Sequence, residues 1–292
     1  MKRMEYVVKS KDDGRKIKSV LRNELNMSSS LVSRVKLCED GILLNGSRAF
    51  TNAVLQEGDI LSVKIEDIEQ EQQIKPVAYP LNILFEDEFL FVINKPAGMA
   101  VHPGALSEDE CTVANAAAYH LGKPFVFHPA NRLDRGTTGI MTIAKSAYIH
   151  ELLKKELHTG HFFREYRAVA VGIPEPEKGE IDLPIGRSPD SAIKRCIDQS
   201  GDTAKTSYEV LSQKNGYSFL KLLPQTGRTH QLRVHMAAMG TPLVGDWLYG
   251  TEDREVISRP ALHSFFMSLQ HPVTKKQLEL YAELPEDMRK LI

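Results

Sequence analysis

The chain has 292 residues, with 37 lysines and arginines against 38 acids, and its apolar and charged fractions are those of an ordinary soluble globular protein. No apolar run approaches the roughly 18 residues of a membrane span, and the charged start Met1-Lys-Arg-Met-Glu-Tyr-Val-Val-Lys9 lacks a signal-peptide core. Three scattered cysteines, Cys38, Cys111 and Cys196, argue against a disulfide framework and provide no Cys-x-x-Cys zinc pair, which points to a reducing cytosol.

The length favours two domains. Charge is divided unevenly between them: residues 1–65 carry 12 lysines and arginines against 8 acids, a net of +4 that leaves −5 for the rest. The basic part is the one expected to face nucleic acid or a membrane surface. It opens with a strand at Tyr6-Val-Val8. Ile17, Val20, Leu21 and Leu25 then form the apolar stripe of an amphipathic helix, with Arg15, Lys16, Lys18 and Arg22 largely off it. Ser28-Ser-Ser30 caps a second helix through Leu31, Val32 and Val35, with Arg34 and Lys36 between, and Gly41 ends it. Short strands follow at Ile42–Leu44 and within Leu55–Val63, the first closed by the Asn45-Gly46 turn signal.

Two short basic helices before a small sheet, with Val-Ser-Arg-Val-Lys36 leading into Gly41-Ile-Leu-Leu-Asn-Gly46, resemble the ribosomal-protein-S4-type RNA-binding domain over about residues 12–65. The resemblance implies a basic face toward structured RNA, with Arg15, Arg22, Arg34 and Lys36 as phosphate contacts that position without reading sequence. Residues 66–79, acidic and amide-rich, have the composition of a linker, and 80–292 form the larger domain.

In that domain Leu81–Asn94 reads as two strands joined at Glu86-Asp-Glu88, and Thr112–Leu121 has helical spacing. Asn131-Arg-Leu-Asp-Arg135 sets a carboxylate between two guanidinium groups, which favours its ionised form, before Gly136-Thr-Thr-Gly139 turns into a strand at Ile140–Ile143. A helix opens at Ser146 with Ile149, Leu152, Leu153 and Leu157 on its core face. Glu165–Val171 alternates as a strand, Val210–Leu223 reads as a hairpin around Lys214-Asn-Gly216, and Thr229–Met239 as a helix. The pattern is α+β, on a mixed, largely antiparallel sheet.

Four segments resemble the pseudouridine synthases of the RluA family: Asn94–Gly104, Asn131–Gly139, Arg164–Ala168, and Gln225–His235 with its tail Gly240–Asp246. Their order and spacing agree over about residues 81–285. The resemblance implies an enzyme that isomerises uridine in structured RNA, most simply large-subunit ribosomal RNA with transfer RNA as the alternative, without cofactor or metal and as a monomer. It assigns catalysis to Asp134, pairs Arg228 with that carboxylate and sets Tyr166 against the target base, leaving Lys95, His102, Arg132 and Arg135 to line the RNA cleft. Where the family usually has His-Arg-Leu-Asp this chain has Asn131, which removes that histidine from the required chemistry.

Breaking the N1–C1′ bond calls for one ionised carboxylate, either as nucleophile toward the sugar or as the base that opens a glycal route. A glycosidase would need a second, and Asp246 is a poor candidate. His230 and His235, five apart, lack neighbouring ligands at metal spacing. A competing reading is a non-catalytic RNA-binding or ribosome-assembly factor that keeps the fold. A glycosidase or a zinc base deaminase is a distant third reading, since the deaminase His-x-Glu and Pro-Cys-x-x-Cys signature is absent. Deleting residues 1–65 is expected to weaken RNA binding or narrow the range of substrates and to leave the large domain folded.

Overall fold

A computed structural model of the chain describes residues 2–67, 74–104, 110–122, 125–157 and 162–292. In the N-terminal part, β1 (Arg3–Val7), α1 (Ile17–Asn23), α2 (Ser29–Val35), β2 (Ile42–Leu44), β3 (Ser47–Arg48) and β4 (Ile60–Lys64) follow in order. The strands form an antiparallel sheet ordered β1-β4-β2-β3. The expected apolar stripe is what folds it: Ile17, Val20, Leu21 and Leu25 are buried together with Leu31, Val32 and Val35. Ser28 accepts from the Leu31 backbone N–H at 3.1 Å and so satisfies an orphan donor at the start of α2. Asn45 and Gly46 both take positive φ, 50° and 81°, as a two-residue hairpin turn requires.

The larger part runs β5 (Asn82–Glu86), β6 (Leu90–Lys95), α3 (Val113–Leu121), β7 (His128–Pro129), β8 (Thr138–Ala144), α4 (Ala147–Glu156) and β9 (Phe162–Val171). It continues with β10 (Lys178–Asp182), β11 (Ile185–Arg187), β12 (Arg195–Ile197), β13 (Lys205–Lys214), β14 (Tyr217–Pro224), α5 (Gln231–Ala238), β15 (Leu262–Gln270), β16 (Gln277–Tyr281) and α6 (Glu286–Arg289). One large sheet has the order β10-β13-β14-β9-β15-β8-β6-β5, with β7 and β16 attached to β8 and β15. Its strand pairs are antiparallel except β8 with β15, so the sheet is mixed and largely antiparallel as the sequence predicts. Strands β10 to β12, β15 and β16 and helix α6 carry no pattern singled out above.

The middle of the sheet is apolar on both faces. Leu90 and Val92 of β6 face one core with Ile140 and Ala144 of β8. Phe91 and Ile93 face the other with Met141, Ile143 and Tyr166. At the parallel pairing, Gly139 lies opposite Ser264 with φ +106°, and a Cβ there would sit 2.2 Å from the Ser264 carbonyl oxygen. Only glycine lets β8 approach β15 this closely, and Ser264 has Tyr166 of β9 on its other side.

The N-terminal part does not hang from a free tether. Its Leu25, Met27 and Leu31 share one core with Tyr148, Ile149 and Leu152 of α4. Tyr148 Oη donates to the Leu25 carbonyl at 2.9 Å, and Ser28 N to Glu151 Oε2 at 3.0 Å. Asp67, in the acidic connecting stretch, accepts from the Ala147 N–H at 2.9 Å and pairs with His128 Nε2 at 2.9 Å. It therefore helps Ser146 cap α4. Part of the connecting stretch, 68–73, lies outside the described residues.

Candidate active site

A cleft of about 870 Å³ opens between the loop before β8, the α4 face, β9 and the segment leading into α5. Asp134, Tyr166, Arg228, His102 and Arg132, five of the residues selected from sequence, line it together. The loop that carries Asp134 is closed by the Thr137 N–H bonding the Asp134 carbonyl at 3.1 Å. Asn131 is buried, accepting from the Thr142 N–H at 2.8 Å and donating to the Ile140 carbonyl at 3.2 Å. The residue that stands where the family has histidine thus pins this loop onto β8.

The arginine expected to pair with Asp134 is a different one. Arg228 points away, its Nε donating to the Thr203 carbonyl at 3.0 Å and its guanidinium 3.5 Å from Asp202. Arg233, in the first turn of α5, reaches Asp134 Oδ2 at 3.2 Å. The reason is helical direction: Arg233 lies on the buried side of α5, whereas Arg228 precedes the helix in an exposed loop. Arg233 also grips Asp246 bidentately, at 2.7 Å from both Nε and Nη2. Asp246, fully buried, takes two more bonds from the Leu248 and Tyr249 N–H groups at 3.1 and 3.3 Å. Burial works against the Arg233 charge, yet the bonds from Asp246, with Asp134 beside them, hold its pKa above the ordinary arginine value. The ring of Tyr249 lies 5.0 Å from the guanidinium carbon, completing its surroundings.

His230 stands at the N-cap of α5 in the left-handed region, φ 58°, which is why the helix begins at Gln231 rather than at Thr229 as its spacing suggests. Its Nε2 is 3.9 Å from Asp134 and its Nδ1 is 2.8 Å from the Tyr249 hydroxyl. That hydroxyl accepts from the Arg195 N–H at 2.8 Å, which leaves its own proton for His230. Burial outweighs the pull of Asp134 and holds the imidazole below its ordinary pKa. Gln231 shapes the preceding turn, accepting from Thr226 Oγ1 and the Arg228 N–H at 2.7 and 3.0 Å. Tyr166 is buried with one face on the cleft, and burial raises its phenol above the ordinary value, so it stays protonated at neutral pH.

One of the other cleft expectations, Lys95, is also corrected. Lys95 is fully buried, its ammonium donating to the carbonyls of Pro96, Met99 and Arg135 at 2.9, 2.8 and 3.1 Å. Burial pushes its pKa down to about 7. It fastens the turn after β6 to the Asp134 loop and cannot touch RNA. Arg135 ion-pairs with Glu110 outside the cleft lining. His102 remains exposed at the mouth, edge-on to Phe127 at 4.9 Å between ring centroids. In the N-terminal part Arg15 is taken up by Asp12 and Glu24, while Arg22 and Lys36 are exposed and Arg34 half-buried. Sequence reasoning missed Arg233, His230 and Tyr249 as members of the site, although Arg233 and His230 lie inside the fourth segment. His235 is a buried structural residue, bonded to Thr206 Oγ1 and the Leu183 carbonyl, each at 3.0 Å. Among the described residues no group of three or more potential ligands is placed to hold a metal ion.

Residues 89–238, which hold nearly all of these groups, match the family of RNA pseudouridylate synthases. An uncharacterized RNA pseudouridine synthase of Bacillus subtilis, YjbO, is 38% identical over 272 residues, 92% of this chain and 95% of its own length. The ribosomal large subunit pseudouridine synthase D of Haemophilus influenzae is 36% identical over 280 residues, covering 89% of this chain and 85% of that protein. Among solved structures, human RNA pseudouridylate synthase domain containing 1 superposes with a TM-score of 0.57 at 25% identity, over 70% of this chain and 83% of that one. The chain belongs to the RNA pseudouridylate synthase family. It is an RNA-modifying isomerase, and among the described residues no helix is long and apolar enough to cross a membrane.

Proposed function

We propose that this enzyme converts specific uridines of large-subunit ribosomal RNA to pseudouridine in the cytosol, acting as a monomer, with Asp134 as the catalytic carboxylate. The observation that carries the reading is the Asp134–Arg233–Asp246 arrangement at the floor of a cleft that Tyr166 also lines. Arg233 is anchored by a buried partner, so it orients Asp134 without being free to swing. The reaction needs no net redox change: the N1–C1′ bond breaks, the base turns, C5 joins C1′, C5 loses its proton and N1 gains one. Asp134 serves at the sugar, as nucleophile or as base, and the flat ring of Tyr166 packs against the uracil while it turns. The target nucleotide must leave its stack to enter the cleft, and His102, Arg132 and Arg228 meet the flanking RNA at the mouth. The substrate choice rests on the large-subunit enzymes among the relatives.

Residues 1–65 act as an S4-like RNA-binding domain, with Arg22, Arg34 and Lys36 on its outer face, and 80–292 as the catalytic domain beyond a connecting stretch at 66–79. The test is release of tritium from 5-tritiated uridine in a large-subunit ribosomal RNA transcript. Wild type should release label and Asp134→Asn should not; equal release removes Asp134 from its role. A wild-type protein that binds RNA and leaves every uridine intact would favour a non-catalytic assembly factor, and modification confined to transfer RNA would replace the substrate.

A further inference from the structure

Beside the cleft lies a second depression of about 540 Å³, which shares Arg132, Gly227, Arg228 and Thr229 with it and so continues it. Its far wall is the two-stranded finger β11–β12, in which Arg187 and Arg195 stand directly opposite each other. With Arg132 and Arg228, four guanidinium groups line this trough against the two carboxylates of Asp198 and Asp202. Asp198 is occupied by the turn it closes, accepting from Ser200 N and Oγ at 2.9 and 2.8 Å. Asp202 meets Arg228 only in an open pair, 3.5 Å apart, with both side chains well exposed. Ile185 supplies the one large apolar side chain of the lining.

Two features of the finger cost the isolated fold something. Like charges directly opposite on paired strands repel. Arg195 Nη1 is buried and finds no acceptor among the described residues. An anion lying between the two arginines would remove both costs at once. The same arginine is joined to the cleft through its backbone, by the bonds from Arg195 N to Tyr249 and from Tyr249 to His230, whose Nε2 is 3.9 Å from Asp134.

We propose that the trough binds phosphates of the RNA strand next to the target uridine, with Arg187 and Arg195 as their ligands. This rests on the reading of the cleft as the uridine site. Continuity with that cleft selects a nucleic-acid strand over an acidic peptide, since a strand whose nucleotide enters the cleft must leave along one of its walls. Each phosphate neutralised by an arginine releases counterions, so the contacts are read in the salt dependence of affinity.

The test measures binding of the full chain to a large-subunit ribosomal RNA transcript between about 50 and about 200 mM salt, the range over which phosphate contacts separate clearly. Replacing both ligands, Arg187→Gln with Arg195→Gln, should lower the slope of log affinity against log salt by about 1.4, two contacts at about 0.7 each for a single strand. Arg187→Lys with Arg195→Lys should restore most of the slope, which a merely misfolded finger would not do. Lys178→Gln with Lys214→Gln removes two charges from the far end of β10 and β13 and should leave the slope near wild type. An unchanged slope in the double glutamine variant, or an equal fall in the lysine control, overturns the proposal. So does a double glutamine variant that keeps RNA affinity but loses affinity for poly-L-glutamate. Wild-type protein that binds with the expected slopes yet releases no tritium would instead refute the isomerase reading of the cleft, leaving the trough in place.

Discussion

At the scale of single residues, Arg233 bears the largest consequence. It is buried between two carboxylates, and it supplies the positive charge that neutralises one of them, Asp246, whose further bonds come from the Leu248 and Tyr249 backbone N–H groups. Removing one partner of such a buried pair leaves an uncompensated charge and costs about 3–5 kcal/mol. Arg233→Gln should lower the unfolding free energy by that amount in urea titrations and abolish tritium release. Arg233→Lys should recover little, because an ammonium cannot hold Asp246 at two points while reaching Asp134. Arg228→Gln, whose partner Asp202 is exposed, should change stability by less than about 0.5 kcal/mol. Both arginines stand in the same sequence segment, and residue type alone does not rank them. Which one reaches Asp134 depends on where α5 begins, and that is set by the left-handed backbone of His230.

Among the elements, β8, β15 and β16 meet around His263. This ring is buried, with Nδ1 2.7 Å from Thr138 Oγ1 on β8 and Nε2 3.0 Å from the Ala282 carbonyl just after β16. The carbonyl can only accept, so Nε2 carries a proton. Burial lowers its pKa from 6.5 to about 4. Between those values the unfolded chain binds the proton and the folded one does not, so stability falls as pH drops from about 6.5 to about 4. The full loss from this group is about 3 kcal/mol. His150, lowered to about 4 by burial in the same way, adds to the fall. Unfolding midpoints measured across this range should decline with a shallower slope in His263→Gln than in wild type; parallel slopes would show that His263 does not contribute.

Across the whole molecule, the N-terminal part and α4 share one apolar core, and α4 in turn presents His150 and Lys154 to the cleft, with Leu157 just past its end. The expectation that the larger domain stays folded without residues 1–65 therefore carries a cost in stability. Their loss would uncover Tyr148 and Leu152 and release the Leu25 carbonyl bond. Calorimetry of the full chain should give one cooperative transition, and the truncated chain should melt at a lower temperature. Two separate transitions in the full chain would show that the parts fold independently. Tyr148→Phe, which keeps the ring and drops the bond to Leu25, should cost about 1 kcal/mol.

The sequence by itself determined the periodic elements and the turns, because helical stripes, Asn-Gly pairs and cap residues act over a few positions: α1 to α5, the hairpin at Asn215-Gly216 and the strand after Gly139 were all legible. The resemblance of four separated segments also grouped Asp134, Tyr166, His102, Arg132 and Arg228, and all five line one cleft. Only the tertiary structure decided the partnerships. Burial turned Lys95 from an expected RNA contact into a loop fastener, helix direction gave Asp134 to Arg233, and the finger bearing Arg187 and Arg195 came beside the cleft through pairings far apart in the chain. Contacts of that kind depend on which faces are brought together, and no local pattern of residues encodes them.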